Sequence, residues 1–333
     1  MGKKYAEILL EFATSQEIDR TFTYKIPAHL MQTLEVGMRV LVPFGRGNKT
    51  QQGYVIELKD ATQVASHKMK NIHTIIDEFP ALSTEMLNLA FYMKERYNTT
   101  LATVIDVMLP PGSKGKPIAL AQKEVRYVKL AKNTQEVKQY METIQEKKSF
   151  INQYKILEIL LEVKKAPVNH LTELLQIGES AIKTLSKHQI ISQYREIETY
   201  ELKESKLGIE QSWRLNDEQK RSLEILEESF AKQEHETFLL HGVTGSGKTE
   251  IFLQVIHTIL QKGGQAIVLV PEISLTPQTV NRFKKRFGNQ VGITHSRLTP
   301  KERMNQWVLA KQGKISVMIG PRSAVFTPFE NLK

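Results

Sequence analysis

The residues Gly242-Val243-Thr244-Gly245-Ser246-Gly247-Lys248-Thr249 satisfy G-x-x-x-x-G-K-[ST] at every fixed position. Glycines at 242, 245 and 247 permit a sharp turn that presents backbone N–H groups to phosphate oxygens. A helix starting there aims its positive end at the same anion. Lys248 would place an ammonium on the β- and γ-phosphates, and Thr249 a hydroxyl on magnesium. These two are the candidate catalytic residues, and Thr249 is also the candidate metal ligand. The candidate cofactor site comprises Gly242, Val243, Thr244, Gly245, Ser246, Gly247, Lys248, Thr249 and Glu250, with Gln219 upstream. A glutamine amide can pair with the N6 donor and N7 acceptor of adenine, which favours ATP. The alternatives are an ordinary glycine-rich β–α turn and, for Gln219, a solvated helix position.

The elements around the motif are those it requires. Apolar runs predict strands at 238–241, 267–270, 291–294 and 315–319, alternating with helices near 249–261, 276–287 and 299–312. Such alternation implies a parallel sheet covered on both faces. Three loops then follow strand C-termini, where open α/β sheets bind ligands. They read Val270-Pro271-Glu272-Ile273-Ser274-Leu275-Thr276-Pro277-Gln278, His295-Ser296-Arg297 and Pro321-Arg322-Ser323-Ala324. Hydroxyls, helix N-termini and the cations Arg297 and Arg322 suit a phosphate backbone held without reading its sequence. Arg297, Arg322 and Ser323 are therefore candidate DNA contacts. The basic run 282–286 is read as a solvated face.

Composition sets the frame. The chain has 333 residues, too many for one core, with 46 Lys and Arg against 36 Asp and Glu, a net charge of +10. That balance points to a polyanionic partner, nucleic acid before membrane, against the alternative of a merely basic protein. There is no cysteine, which excludes disulfides, thiolate zinc sites and thiol catalysis within these residues. No signal peptide or membrane-length apolar run is present, so a cytoplasmic protein is expected.

Three domains are expected: 1–112, 113–205 and 206–333. The first is β-rich and barrel-like, with strands near 5–12, 21–26, 39–43, 52–58 and 71–76 and a hairpin tip at 44–50. Small barrels of this kind bind single strands or serve as structural adaptors. Prolines and glycines at 109–117 read as a linker. Residues 150–195 read as three short helices and a strand, similar to a winged helix-turn-helix with Ser180, Lys183, Thr184 and Lys187 facing outward. That module could equally dock on protein or space its neighbours. The stretch 198–212 reads as a second linker. Ile75-Ile76-Asp77-Glu78 has the look of an acidic motif at a strand end, but it lies far upstream of the phosphate loop, in the β-rich part.

The strings 242–250, 270–278 and 322–329 resemble the first motor lobe of superfamily-2 helicases, and most closely the PriA replication-restart helicase family. The resemblance runs along the whole chain. It implies a RecA-like ATP-binding lobe, ATP and Mg2+ as cofactors, and an ATP-driven 3′→5′ DNA helicase that recognises forks and 3′ ends. Expected partners are forked and single-stranded DNA, primosome-loading proteins and single-strand-binding protein, in a cytoplasmic, nucleoid-associated setting without membrane. The family's 3′-end pocket, an aromatic–acidic–aromatic trio and a lysine, falls on Phe22, Thr23, Tyr24 and Lys70. Thr23 stands where the family has an acid; its hydroxyl is the group left for a terminal 3′-hydroxyl. Phe22 and Tyr24 alternate on one strand face, as a base-stacking platform or as core. The family's acidic Walker motif, second lobe and zinc region would follow Lys333, so an N-terminal fragment with negligible turnover is expected, with zinc only in the remainder. A competing expectation is a non-motor DNA-binding adaptor whose phosphate loop senses nucleotide.

Overall fold

The computed structural model describes residues 3–65, 69–145, 150–200, 214–232 and 235–333. The chain divides into two compact units, one made of 1–120 with 202–333 and one of 121–201.

In the first unit, strands β1 (Tyr5–Leu10), β2 (Thr21–Lys25), β3 (Arg39–Phe44), β4 (Lys49–Lys59) and β5 (Thr74–Ile75) form an antiparallel sheet in the order β2-β1-β4-β3-β5. A parallel bridge from Lys25 to Asn71 brings the sheet's two outer edges together. Alternation sends Ala6, Ile8 and Leu10 into one core with Tyr24, Val40 and Val55. Leu9 and Tyr54 enter a second core with α1 (Thr84–Tyr97) and α2 (Leu101–Met108). Ser83 caps α1 by accepting from the Met86 N–H at 3.2 Å, and Asn98, at φ 47°, ends it.

The predicted linker after α2 is pinned rather than loose. Arg39 donates twice to Asp77, both at 2.6 Å, and also to the carbonyls of Ser113 (2.6 Å) and Lys116 (2.7 Å). Asp77 accepts from the Ile118 N–H at 2.8 Å, and the Gln52 side chain from the Gly115 N–H at 2.9 Å. Prolines and glycines remove regular structure from this segment, but a fully buried ion pair replaces the missing backbone partners. Asp77 thus has a structural task.

The second unit joins β6 (Gln122–Leu130), α3 (Thr134–Ile144), α4 (Ile151–Val163), β7 (Lys165–Pro167), α5 (Val168–Leu175), α6 (Ser180–Lys187) and β8 (Ile191–Thr199). Its antiparallel sheet has the order β7-β6-β8, and Val128 and Ile191 join Ile156, Leu160, Ile182 and Leu185 in the core. The long strand β6 and helix α3 have no counterpart in the reading of the sequence. Charges interrupt the apolar positions of β6, and the capping box Asn133–Glu136 at the start of α3 was the available signal.

The α/β part of the first unit runs α7 (Asp217–Lys232), α8 (Lys248–Gln261), β9 (Ala266–Leu269), α9 (Pro277–Phe287), β10 (Val291–Ile293), α10 (Pro300–Lys311) and β11 (Val317–Gly320). Its sheet is parallel, ordered β10-β11-β9. Trp307 and Val308 of α10 belong to the same core as α1 and α2. The strand expected at 238–241 is absent. That run has no ladder partner among the described residues, and Leu239 is 90% exposed. A strand needs a neighbour. On the edge of β9 away from β11, Gln265 instead bridges in parallel to Leu332.

Candidate nucleotide and nucleic-acid site

The phosphate loop follows the unpaired run 235–241 and leads directly into α8. Gly245 and Gly247 adopt φ 83° and 84°, the left-handed region that favours glycine. A Cβ at Gly247 would sit 2.3 Å from the Gln219 amide nitrogen. The loop is open: residues 241–246 are exposed. Lys248 turns its ammonium back onto the carbonyls of Gly242 (2.6 Å) and Val243 (2.8 Å). The residues fit a nucleoside triphosphate. Phosphate oxygens would replace those two carbonyls as acceptors for Lys248, and Thr249 sits half-buried at the first turn of α8, where a magnesium ligand belongs.

Gln219 lies against this loop. Its Nε2 donates to the Ser246 carbonyl at 2.9 Å, while its Oε1 accepts from the Asn216 N–H at 3.0 Å in a reciprocal cap of α7. Each end of the amide makes one such bond, and a second N–H and a second lone pair remain for a base.

Glu250 is buried and pairs with Arg286 of α9 at 3.4 Å. Arg286 is therefore not on a solvated face, as the sequence had suggested. Thr249, Glu250, Gln278 and Arg286 line one cleft of about 780 Å³. The magnesium position and the start of α9 thus share a wall.

The three strand-end loops meet at one edge. The Val270 N–H bonds the Gly320 carbonyl, and the Thr294 N–H that of Ile319, both at 2.9 Å. Gly320 permits this approach, because a Cβ there would lie 2.6 Å from Thr294 Cγ2 and 2.7 Å from its carbonyl. Glu272 accepts from both the side-chain hydroxyl and the N–H of Ser296, tying two loops together. Those hydrogen bonds, with the charges of Arg297 and His295, hold the Glu272 carboxyl below its ordinary pKa. Arg297, Arg322 and Ser323 are exposed on this rim, and Ile273 among them is 91% exposed.

The proposed end-binding trio is arranged differently from a platform. Tyr24 is 4% exposed, its ring in the core and its hydroxyl donating to the Pro43 carbonyl at 3.1 Å. Burial pushes that hydroxyl's pKa up to about 12. The face Tyr24 shares with Phe22 points inward, so Tyr24 offers no ring to a base. Phe22 is half-buried, with the Arg20 guanidinium 5.3 Å from its ring centroid and Phe44 edge-on at 5.1 Å. Phe12 follows at 5.4 Å from Phe44. The Lys70 ammonium bonds the Gly45 carbonyl at 2.7 Å, in the turn that follows Phe44. Arg20, Phe44 and Phe12 were missed by sequence reasoning; the sign available was Arg20 two residues before Phe22. Thr23 lies on the opposite face, bonded to the Glu7 carboxylate at 2.8 Å. Burial raises the Glu7 pKa, but the hydroxyls of Thr23 and Thr21 and the charge of Lys59 outweigh it, leaving Glu7 below its ordinary value.

An open phosphate loop, a rim of strand-end loops on a parallel sheet and a separate antiparallel sheet define a helicase-like chain with an appended binding domain. Comparison with known proteins agrees. Residues 7–110 match the PriA 3'DNA-binding domain (3'BD), and residues 212–331 match the family described as type III restriction enzyme, res subunit. Proteins described as replication restart protein PriA align along nearly the whole chain. The Bacillus subtilis protein is 32% identical over 98% of this chain and 48% of its own length. The Chlamydia trachomatis protein is 32% identical over 98% and 43%. The Haemophilus influenzae protein is 32% identical over 97% and 43%. Over the part it spans, the chain belongs to the PriA replication restart family. It covers about half the length of these relatives.

Proposed function

We propose that this chain is the DNA-capturing and nucleotide-binding part of an ATP-driven 3′→5′ helicase that recognises forks and 3′ ends and directs replisome loading. The observation that carries it is the meeting of three strand-end loops, tied by Glu272 and Ser296, on the α/β part that also bears the phosphate loop. Arg297, Arg322, Ser323 and the N-terminus of α9 hold the phosphates of one strand. Lys248 binds the β- and γ-phosphates of ATP, and Thr249 its magnesium. Bound magnesium would supply charge neutralisation between those phosphates. The route from nucleotide to strand runs through Glu250 and Arg286 to α9.

The β-rich part captures the 3′ end. Phe22, with Phe44 and Phe12, supplies aromatic surface, and Lys70 and Arg20 supply charge. Thr23, on the other face of β2 and bonded to Glu7, stands apart from this aromatic surface. The unit 121–201 is a winged helix, an assignment supported by α4–α5–α6 packed on a three-stranded sheet with Lys183 and Lys187 exposed on α6. The parallel bridge Gln265–Leu332 supports strand pairing on the edge of β9 away from β11, as a RecA-like lobe requires.

The test is direct. The 333-residue chain should bind a fluorescent ATP analogue and a 3′-ended fork, and Lys248→Ala should abolish the first and spare the second. Loss of both, or of neither, refutes the division of labour.

A further inference from the structure

Two exposed loops of the rim are joined by a carboxylate, where apolar packing would serve as well. Glu272 Oε1 accepts from the Ser296 N–H at 3.2 Å and from the Ser296 hydroxyl. Around Ser296 the chain turns tightly. The Leu298 N–H donates to the His295 carbonyl at 3.2 Å, and the Arg297 N–H to His295 Nδ1 at 3.2 Å. Ser296 and Arg297 are both exposed. The turn therefore offers to solvent a backbone N–H, a hydroxyl and the positive charge of the next side chain.

Backbone N–H, hydroxyl and arginine are the donors by which proteins hold phosphate diesters. In the free chain the anion held by these donors is Glu272. Its contacts, the Ser296 hydroxyl first, keep the carboxyl below its ordinary pKa, so it is charged at neutral pH. A carboxylate and a phosphate diester compete on similar terms, since each is a monoanion with two acceptor oxygens. Glu272 and Ser296 meet in water, where such contacts are weak.

Resting on the reading of the rim as the strand-binding edge, we propose that the Ser296 turn is a phosphate site whose internal occupant, Glu272, is displaced by an arriving strand. A strand already held by Arg322 and its neighbours brings its next phosphate to Ser296 at high effective concentration. Inorganic phosphate or a mononucleotide has no such second hold. Glu272 thus shields the site from isolated anions and yields to a polyanion. The contact that ties the two loops in the free chain is exchanged for one in which each loop faces the strand.

The experiment measures, by anisotropy, binding of fluorescent oligothymidylate of about 15 nucleotides to the 333-residue chain. The parent is compared with Glu272→Gln, Ser296→Ala and the double variant. Glu272→Gln keeps the shape, loses the charge and should strengthen binding about three- to fivefold, the range open to a contact between exposed groups. It should also make the complex more sensitive to competition by inorganic phosphate. Removing a carboxylate near a strand relieves repulsion in any case, so the double variant decides. Repulsion is indifferent to the Ser296 hydroxyl, whereas displacement requires the gain from Glu272→Gln to shrink to about half or less when Ser296→Ala is already present. Weaker binding by Glu272→Gln, or a gain of the same size in both backgrounds, overturns the displacement; the rim still stands if Arg297→Ala weakens the strand. If Arg297→Ala leaves binding unchanged, the rim reading itself fails and takes the phosphate site with it.

Discussion

An isoleucine left 91% exposed on the rim loop after β9 makes a sharp prediction. Fully burying such a side chain is worth about 1.5–3 kcal/mol, so a strand covering half of Ile273 gains about 1 kcal/mol. Ile273→Ser should therefore weaken single-stranded DNA about fivefold, at one tenfold step per 1.4 kcal/mol. The contact is apolar and releases no counterion. Titrations across a range of salt should give parallel lines for Ile273→Ser and the parent. Arg297 and Arg322 act differently. Each phosphate contact contributes about 0.7 to the slope of log affinity against log salt for a single strand. Arg297→Ala should flatten the line by about that amount, and the double variant with Arg322→Ala by about twice as much. The reasoning is refuted by a changed slope for Ile273→Ser, or by an unchanged slope for the arginine variants, because either result removes the assigned contact from the rim.

Further perturbations test other parts of the molecule. Asp77→Ala leaves the Arg39 guanidinium buried without its carboxylate and should cost about 3–5 kcal/mol in thermal or urea unfolding; replacing both partners with apolar residues should recover most of it. Tyr24→Ala should open a core cavity and cost about 3–5 kcal/mol of stability, whereas Phe22→Ala should weaken 3′-end binding by about 1–3 kcal/mol in a protein of near-parental stability. The depressed pKa of Glu272 means that its tether to Ser296 contributes stability above the unfolded carboxylate pKa and loses it as pH falls through the lower folded value. The protection factor of the Ser296 amide, its exchange rate relative to the intrinsic rate at each pH, should therefore be highest at neutral pH and fall as Glu272 protonates in acid, and Glu272→Gln should flatten that dependence.

What the sequence disclosed and what it hid divide along one line. The phosphate loop and the alternation of helices with β9, β10 and β11 are decided by residues within a few positions of each other. Spacing alone therefore finds them. The misreadings all concern a partner distant in the chain. Residues 238–241 have the apolar character of a strand, but a strand is a property of two segments, and no described segment pairs with them. Residues 109–117 have the composition of a linker, yet Arg39 and Gln52, far earlier in the chain, hold them by three backbone atoms, and Asp77 takes the N–H of Ile118 just beyond. The alternation of Phe22 and Tyr24 correctly places both on one face of β2. Which face is inward depends on β3, whose Pro43 carbonyl takes the Tyr24 hydroxyl. Chemistry-bearing residues are thus legible where the backbone itself does the work, as in a glycine turn. Where a side chain does it, the outcome depends on which neighbour claims the side chain first, and pattern alone cannot supply that neighbour.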